Sequence, residues 1–337
     1  MVTIKEIAKE ANVSPSTVSR VITGNKRISK ETAERVKEAI RKLGYIPNAN
    51  AKSMVTKKSN TIGIFIPREP KYVLSNTFFD QIIGTICEIA NKNDYDILFA
   101  ISTPEKEVQL LQRLVLSKKV DGFILLSSRI NDKAIEYLRD IEFPMVVVGR
   151  PEKYEDLINW VDNDNKKAGY DAAKYLIDKG HKEIAFIAGP EDLVVTQDRL
   201  YGFKKACEES FIASNNIIIK YSNFYRKSSY QIAFEILKSN KRPTAIVCMD
   251  DIIGFEVTKA SKDLNLAIGE DISIITFNNS IITELSNPSI TTIDINIDYI
   301  GTSVAELLLM ELKDPKKTYK RLIVQHTLIE RSSCATL

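Results

Sequence analysis

Residues 3–21 read Thr3-Ile4-Lys5-Glu6-Ile7-Ala8-Lys9-Glu10-Ala11-Asn12-Val13-Ser14-Pro15-Ser16-Thr17-Val18-Ser19-Arg20-Val21, and the stretch spells two helices with a tight turn between them. Thr3 and Glu6 stand in capping-box order, and Ile7, Ala8 and Ala11 continue an apolar face, which predicts a first helix to about Glu10. After the Asn12-Val13 turn, Ser14 offers an N-cap hydroxyl and Pro15 the locked φ of a first helical residue, so a second helix opens there and runs through Val21. Gly24-Asn25 breaks the chain. Ser29 caps a third helix, on which Ala33, Val36, Ala39, Ile40 and Leu43 recur at helical spacing before Gly44 stops it. With Val13, Val18 and Val21 turned inward, the second helix exposes small hydroxyls and Arg20, a face that fits a major groove where bulky apolar groups would clash.

Charge separates this stretch from the rest. Residues 1–60 carry 13 Lys and Arg against 5 Glu, whereas the whole chain of 337 residues has a formal net charge of only +3. A basic module on a mildly acidic body is expected where one end meets a polyanion. The length allows two or three domains. No run of about 18 apolar residues occurs, and residues 1–10 lack the basic-then-apolar order of a secretory leader, so no membrane partner and a cytoplasmic site of action are expected. Cys87, Cys207, Cys248 and Cys334 stand far apart, and the only histidines are His181 and His326. Neither a zinc site, a disulfide framework nor a Ser-His-Asp triad is expected, and His181, between Gly180 and a strand, reads as structural.

From Thr61 onward, β-branched runs alternate with amphipathic helices: 62–66, 97–101, 122–126 and 145–148 are strands of a first series, and 184–187, 217–221, 245–248 and 272–277 of a second. Such alternation predicts an α/β body of parallel sheets in two lobes, with binding between them outside the strands' carboxyl ends. The 13 glycines form neither Gly-x-Gly-x-x-Gly nor a Walker loop, so a binding module is favoured over an enzyme and no cofactor or metal is expected.

Ile4-Lys5-Glu6-Ile7-Ala8, Val13 to Val21 and Leu43-Gly44-Tyr45-Ile46-Pro47-Asn48 closely resemble the N-terminus of the lactose-repressor (LacI/GalR) family. The likeness continues through Asn76-x-Phe78-Phe79, Val120-Asp121-Gly122-Phe123-Ile124, Gly180-His181-Lys182, Arg199-x-x-Gly202-Phe203, Arg242-Pro243-Thr244 and Pro288-x-Ile290-Thr291-Thr292. Within the family, Asn159-Trp160-Val161-Asp162-Asn163-Asp164-Asn165 and Phe277-Asn278-Asn279 are most similar to the maltose-operon repressors of Gram-positive bacteria.

The resemblance implies an N-terminal all-α helix-turn-helix DNA-binding domain (1–47), a hinge helix and linker (48–60), and a periplasmic-binding-protein-like core (61–331). Lobe one would comprise about 61–161 and 294–320, lobe two about 162–292 and 321–331. It assigns base contacts to Pro15, Ser16 and Arg20, and further DNA contacts to Thr3, Ser14, Thr17, Ser19, Thr23, Arg27, Tyr45, Asn48 and Ala51. Helix capping accounts equally for Ser14 and Thr17, and Pro15 is also a common helix starter. Met54 stands where the family usually has Leu, long and apolar enough to wedge a minor-groove step.

For the effector, the resemblance points to Arg199, Phe224, Asp250 and Asn278, with Phe78, Phe79, Ser127 and Arg150 on the other lobe. A sugar needs a polar fork for its hydroxyls and an aromatic platform for its ring face. Trp160 is a candidate for stacking and equally for a lobe-crossing core. The partners implied are pseudopalindromic operator DNA, a maltose-type sugar and a second copy of the chain. A catabolite-control regulator using a phosphocarrier protein is the alternative, and a transport-type sugar-binding protein a weaker one.

Overall fold

The computed structural model describes residues 2–22, 27–45, 58–68, 73, 76–223, 226–314 and 318–337. The N-terminal unit holds α1 (Ile4–Glu10), α2 (Pro15–Ile22) and α3 (Lys30–Leu43). Local chemistry fixes their ends. The Glu6 N–H donates to Thr3 Oγ1 at 3.4 Å while the Glu6 carboxylate accepts from the Thr3 N–H at 2.7 Å, closing the capping box. Ser14 accepts from the Thr17 N–H at 3.1 Å and Ser29 from the Thr32 N–H at 3.2 Å. Gly44, at φ 64°, ends α3 in the left-handed region that a side chain would strain. Ile7, Ala8, Ala11, Val18, Val36 and Ala39 form the buried core of this unit. In so small a core each cap, worth about 1 kcal/mol, is a sizeable share of the stability.

The body holds two six-stranded sheets. Lobe one contains β1 (Thr61–Ile66), β2 (Asp96–Ile101), β3 (Gly122–Leu125), β4 (Met145–Val148), β5 (Asn159–Asn163) and, from much later in the chain, β11 (Arg321–Val324). Lobe two contains β6 (Ile184–Ala188), β7 (Ile217–Tyr221), β8 (Ala245–Cys248), β9 (Ser273–Phe277), β10 (Thr291–Asp294) and β12 (Thr327–Ile329). The orders are β11-β5-β4-β3-β1-β2, parallel throughout, and β12-β10-β9-β8-β6-β7, parallel except for β12 against β10. Strands β3, β4, β6 and β8 are buried along their whole length, which is why they read as apolar runs, while β5 and β9, equally buried, carry polar residues. The covering helices are α4 (Thr77–Lys92), α5 (Glu107–Leu116), α6 (Lys133–Asp140), α7 (Asn165–Asp178), α8 (Val194–Glu209), α9 (Arg226–Lys238), α10 (Asp251–Asp263), α11 (Ile281–Leu285) and α12 (Ile297–Lys313).

The chain crosses between lobes after β5, after β10 and after β11. The third crossing departs from expectation: Arg321 lies beside Trp160 and Val324 beside Asn163, so β11 completes the sheet of lobe one and the crossing falls at residues 325–326. A parallel edge strand has no adjoining hairpin to announce it, so nothing local marked this boundary. Beyond the expected end of the core at 331, the tail stays on lobe two, where the Ala335 N–H donates to Ser273 Oγ at 3.0 Å and the Leu337 N–H to the Lys179 carbonyl at 2.8 Å. Helix α8 begins at Val194, which brings Leu193 and Val195 to the cleft.

Candidate functional site

On α2, burial of Val18 sets the rotation of the helix and leaves Pro15, Ser16 and Arg20 exposed, with Thr17 and Ser19 half-buried. Ser16 and Arg20, four residues apart, share a face. Ser14 Oγ lies 2.8 Å from Ser16 Oγ and 2.9 Å from Thr17 Oγ1, so three hydroxyls cluster at the helix start. Thr3 is exposed within its capping box, Arg27 is exposed, and Tyr45 packs half-buried against the three-helix core. Thr23, Asn48, Ala51, Met54 and, in the body, Phe224 lie outside the described residues.

Between the lobes, outside the carboxyl ends of both sheets, lies a cleft of about 790 Å³ including open solvent, within the range of small-molecule sites. Lobe one contributes Arg68, Asn76, Phe78, Phe79, Ser127, Ser128, Asp162 and Asn163, and lobe two Asn165, Arg199, Met249, Asp250 and Asn278, among others. Phe78 and Phe79 open α4 and meet edge to face with centroids 5.4 Å apart. Arg199 is buried on α8. Its Nε donates to Asn165 Oδ1 and its Nη1 to the Met249 carbonyl, both at 2.9 Å, and its guanidinium lies 4.1 Å from the centre of the Phe277 ring. Both bonds go to neutral acceptors, which fixes the fork without an ion pair and leaves other N–H groups for a ligand.

The carboxylates are held just as closely. Asp162 accepts from the Arg150 and Asn163 backbone N–H groups and from Asn165 Nδ2, each at 2.7 Å. Burial still outweighs these bonds and pushes its carboxyl up to about 6. Asp250 caps α10 through the Ile253 N–H at 2.8 Å and accepts from Asn76 Nδ2 at 3.2 Å, and burial raises it as well. Burial lowers Arg199 to about 10, leaving it protonated at neutral pH. Among the described lining residues, Arg68 and Arg199 thus stand against Asp162 and Asp250, two charges of each sign.

The turn after β9 places Asn278 in the cleft by an unusual backbone, with φ of 103° at Asn278 and 55° at Asn279. Buried Asp251 holds this turn, accepting from Thr276 Oγ1 at 2.5 Å and the Ser280 N–H at 2.7 Å, and burial pushes it up to about 7. Ser128 Oγ, buried beside the cleft, has no hydrogen-bond partner among the described residues.

Of the residues expected around the effector, Phe78, Phe79, Ser127, Arg199, Asp250 and Asn278 line the cleft. Two do not. Trp160 packs in the core on the far face of lobe one, its Nε1–H donating to the Glu155 carbonyl at 3.0 Å. It lies three residues, about 10 Å of strand, before the carboxyl end of β5 where the cleft begins. Arg150 reaches across to lobe two and pairs with Asp198 at 3.0 Å, with Glu155 at 2.6 Å completing its partners. Arg68, Asn76, Ser128, Asp162 and Asn165 line the cleft without having been singled out. The 159–165 segment and the Asn76-x-Phe78-Phe79 motif were the available signals for three of them, and neither Arg68 nor Ser128 has one.

Several bonds close the mouth of the cleft. The Val194 N–H donates to the Ser128 carbonyl at 3.2 Å and the Ile130 N–H to the Asp192 carbonyl at 2.8 Å, alongside the Asn76–Asp250 and Arg150–Asp198 contacts. At the opposite end of lobe one, the Asp121 carboxylate accepts from the Ser59 N–H at 2.7 Å and the Asn60 N–H at 2.9 Å, anchoring the segment that leads from the N-terminal unit.

The sequence profile for "Bacterial regulatory proteins, lacI family" matches residues 3–48, and that for a periplasmic binding protein-like domain matches residues 173–334. The chain is 33% identical over 338 residues to the HTH-type transcriptional regulator MalR of Staphylococcus xylosus, covering 100% of this chain and 99% of that one. It is 32% identical to catabolite control protein A of Priestia megaterium over 96% of each chain. Among solved structures it is similar to the transcriptional regulator CelR in complex with cellobiose, with a TM-score of 0.77, 26% identity, and 99% and 100% of the two chains covered.

Proposed function

The chain belongs to the lacI family of bacterial regulatory proteins, and on that premise we propose that it is a homodimeric repressor of a sugar-utilisation operon, released from a pseudopalindromic operator by a maltose-type saccharide. The observation that carries the effector class is the charge-balanced cleft, in which a fixed guanidinium fork, two buried carboxylates and a pair of phenylalanines converge. Such a lining, with cations and carboxylates equal in number among its described residues, suits a neutral ligand with vicinal hydroxyls and an apolar ring face. The relatives support the same class, since MalR carries maltose in its name and the CelR structure holds a disaccharide.

Pro15, Ser16 and Arg20 would read base edges from α2, while Thr3, Ser14, Thr17, Ser19, Thr23, Arg27, Tyr45, Asn48 and Ala51 hold the DNA and Met54 opens the central step. Each protomer reads one half-site. A sugar bridging Phe78, Asn278 and Arg199 would favour the closed cleft and rotate lobe one, and the Asp121 anchor would carry that displacement into the segment leading to the DNA reader. By linkage, operator must weaken sugar binding by the same factor. No helix among the described residues is long and apolar enough to cross a membrane, and we place the regulator in the cytoplasm with its DNA.

The test is fluorescence anisotropy of labelled upstream promoter DNA at fixed salt, titrated with maltose, maltotriose, glucose and glucose 6-phosphate. Release by maltose or maltotriose is the expected result. Indifference to every sugar, with operator binding that instead requires a phosphorylated carrier protein, would replace this function with that of a catabolite-control regulator, the reading that the likeness to catabolite control protein A favours.

A further inference from the structure

The three crossings between the lobes are far apart in the chain, at residues 163–164, 295–296 and 325–326, yet one side chain touches all of them. Asn163, 4% exposed at the end of β5, sits on the first crossing. Its Nδ2 donates to the Ile295 carbonyl on the second at 3.0 Å and to the Val324 carbonyl at the start of the third at 2.9 Å. Both amide hydrogens are spent on these two carbonyls, a task that needs two donors on one short side chain and that asparagine can perform where aspartate or serine cannot.

The same residue is wired to the cleft. Arg199 Nε donates to Asn165 Oδ1 at 2.9 Å, and Asn165 Nδ2 donates to Asp162 Oδ1 at 2.7 Å and, more weakly, to the Asn163 carbonyl at 3.4 Å. Asp162 Oδ1 also accepts from the Asn163 N–H at 2.7 Å. A continuous set of hydrogen bonds therefore runs from the guanidinium fork to the staple across the crossings, through side chains that are buried.

We propose that Asn163 is a positioning residue for allosteric coupling: it ties the three crossings into a single hinge, so that closure on an effector bound at Arg199 turns lobe one as a unit. Without the staple each crossing bends independently, and closure of the cleft is absorbed locally instead of reaching the Asp121 anchor. The inference rests on the proposed effector site. It concerns transmission from that site, whose lining Asn163 shares.

The experiment uses the full-length protein with Asn163→Ser, Asn163→Ala and Asn163→Asp. For each, calorimetry gives the affinity for maltose and maltotriose without DNA, and anisotropy gives operator affinity with and without saturating sugar. Because Asn163 also lines the cleft, the operator affinities are compared at sugar concentrations that saturate each variant, so that a change in sugar affinity does not enter their ratio. The ratio of the two operator affinities should fall tenfold or more in the alanine and aspartate variants and be partly rescued by serine, which retains one donor. That graded order is not expected of a role in folding alone, and the serine variant keeps the test available if the aspartate variant does not fold. Equal release ratios in wild type and variants would overturn the proposal, and so would loss of sugar binding in step with the ratio, which would make Asn163 an effector contact. A wild type that binds operator and ignores both sugars would instead refute the effector reading beneath it.

Discussion

Substituting Arg199 separates its role toward the ligand from its role in the fold. Lysine keeps the positive charge between Asp162 and Asp250 but cannot span Asn165 Oδ1 and the Met249 carbonyl while presenting further donors to the cleft. Loss of one hydrogen bond from a charged donor costs about 1.5–3 kcal/mol, equivalent to roughly 10- to 150-fold in affinity. Arg199→Lys is therefore expected to weaken sugar binding by at least tenfold in calorimetry, with operator affinity in the absence of sugar unchanged within about twofold. Arg199→Met removes the cation as well and leaves Arg68 alone against two buried carboxylates, a loss on the order of 3–5 kcal/mol of core stability that thermal unfolding would register. A lysine variant that binds sugar within threefold of wild type would show that the fork does not grip the ligand, and the cleft's assignment as effector site would lose its main support.

Trp160→Phe is expected to leave sugar affinity within about twofold, since the indole packs on the far face of lobe one; a tenfold loss would restore the stacking role considered from sequence. Gly202→Ala would set a Cβ 1.9 Å from the Lys166 carbonyl where α8 crosses α7, and because neither backbone can yield cheaply, about 3 kcal/mol of stability should disappear together with sugar affinity, while operator binding persists. An alanine variant with unchanged melting temperature would contradict that packing. Asp251 is raised to about 7 in the folded state, so its contribution to stability is fully present below its unfolded value near 3.8 and is lost as pH rises through about 7. Asp251→Asn should therefore flatten the decline of melting temperature between pH 5 and 8, and a slope identical to wild type would mean that this carboxyl does not titrate there.

The DNA-reading unit was legible because its determinants are local. The cap at Thr3 is completed by Glu6, the cap at Ser14 by Thr17, and the stop at Gly44 by its own φ, all within three residues of chain. The two-lobed body was legible from alternation, since most of its buried parallel strands are apolar runs between amphipathic helices. Its third crossing was not, because β11 is defined by pairing with β5 some 160 residues earlier.

The cleft falls between these cases, and its two arginines show why. Arg150, just after β4, and Arg199, in the second turn of α8, both face the space between lobes, and residue type assigns both to the ligand. The difference lies in their partners. Arg150 meets the carboxylates of Glu155 and Asp198, the latter 48 residues away, and is consumed as a link between the lobes. Arg199 is placed by neutral acceptors and keeps its charge for the cleft. Which arginine is free for chemistry is thus decided by where carboxylates fall in space. Position along a strand works in the same way for Trp160 and Asp162, two residues apart in one segment: the first packs in the core and the second, nearer the carboxyl end, lines the cleft. Sequence supplies the inventory of groups capable of holding a sugar, and tertiary pairing subtracts from it those already spent on the protein itself. Arg199 survives that subtraction with its fork intact, whereas the Asn163 amide is spent entirely on the crossings, which makes it a candidate for transmitting the ligand's presence rather than gripping the ligand.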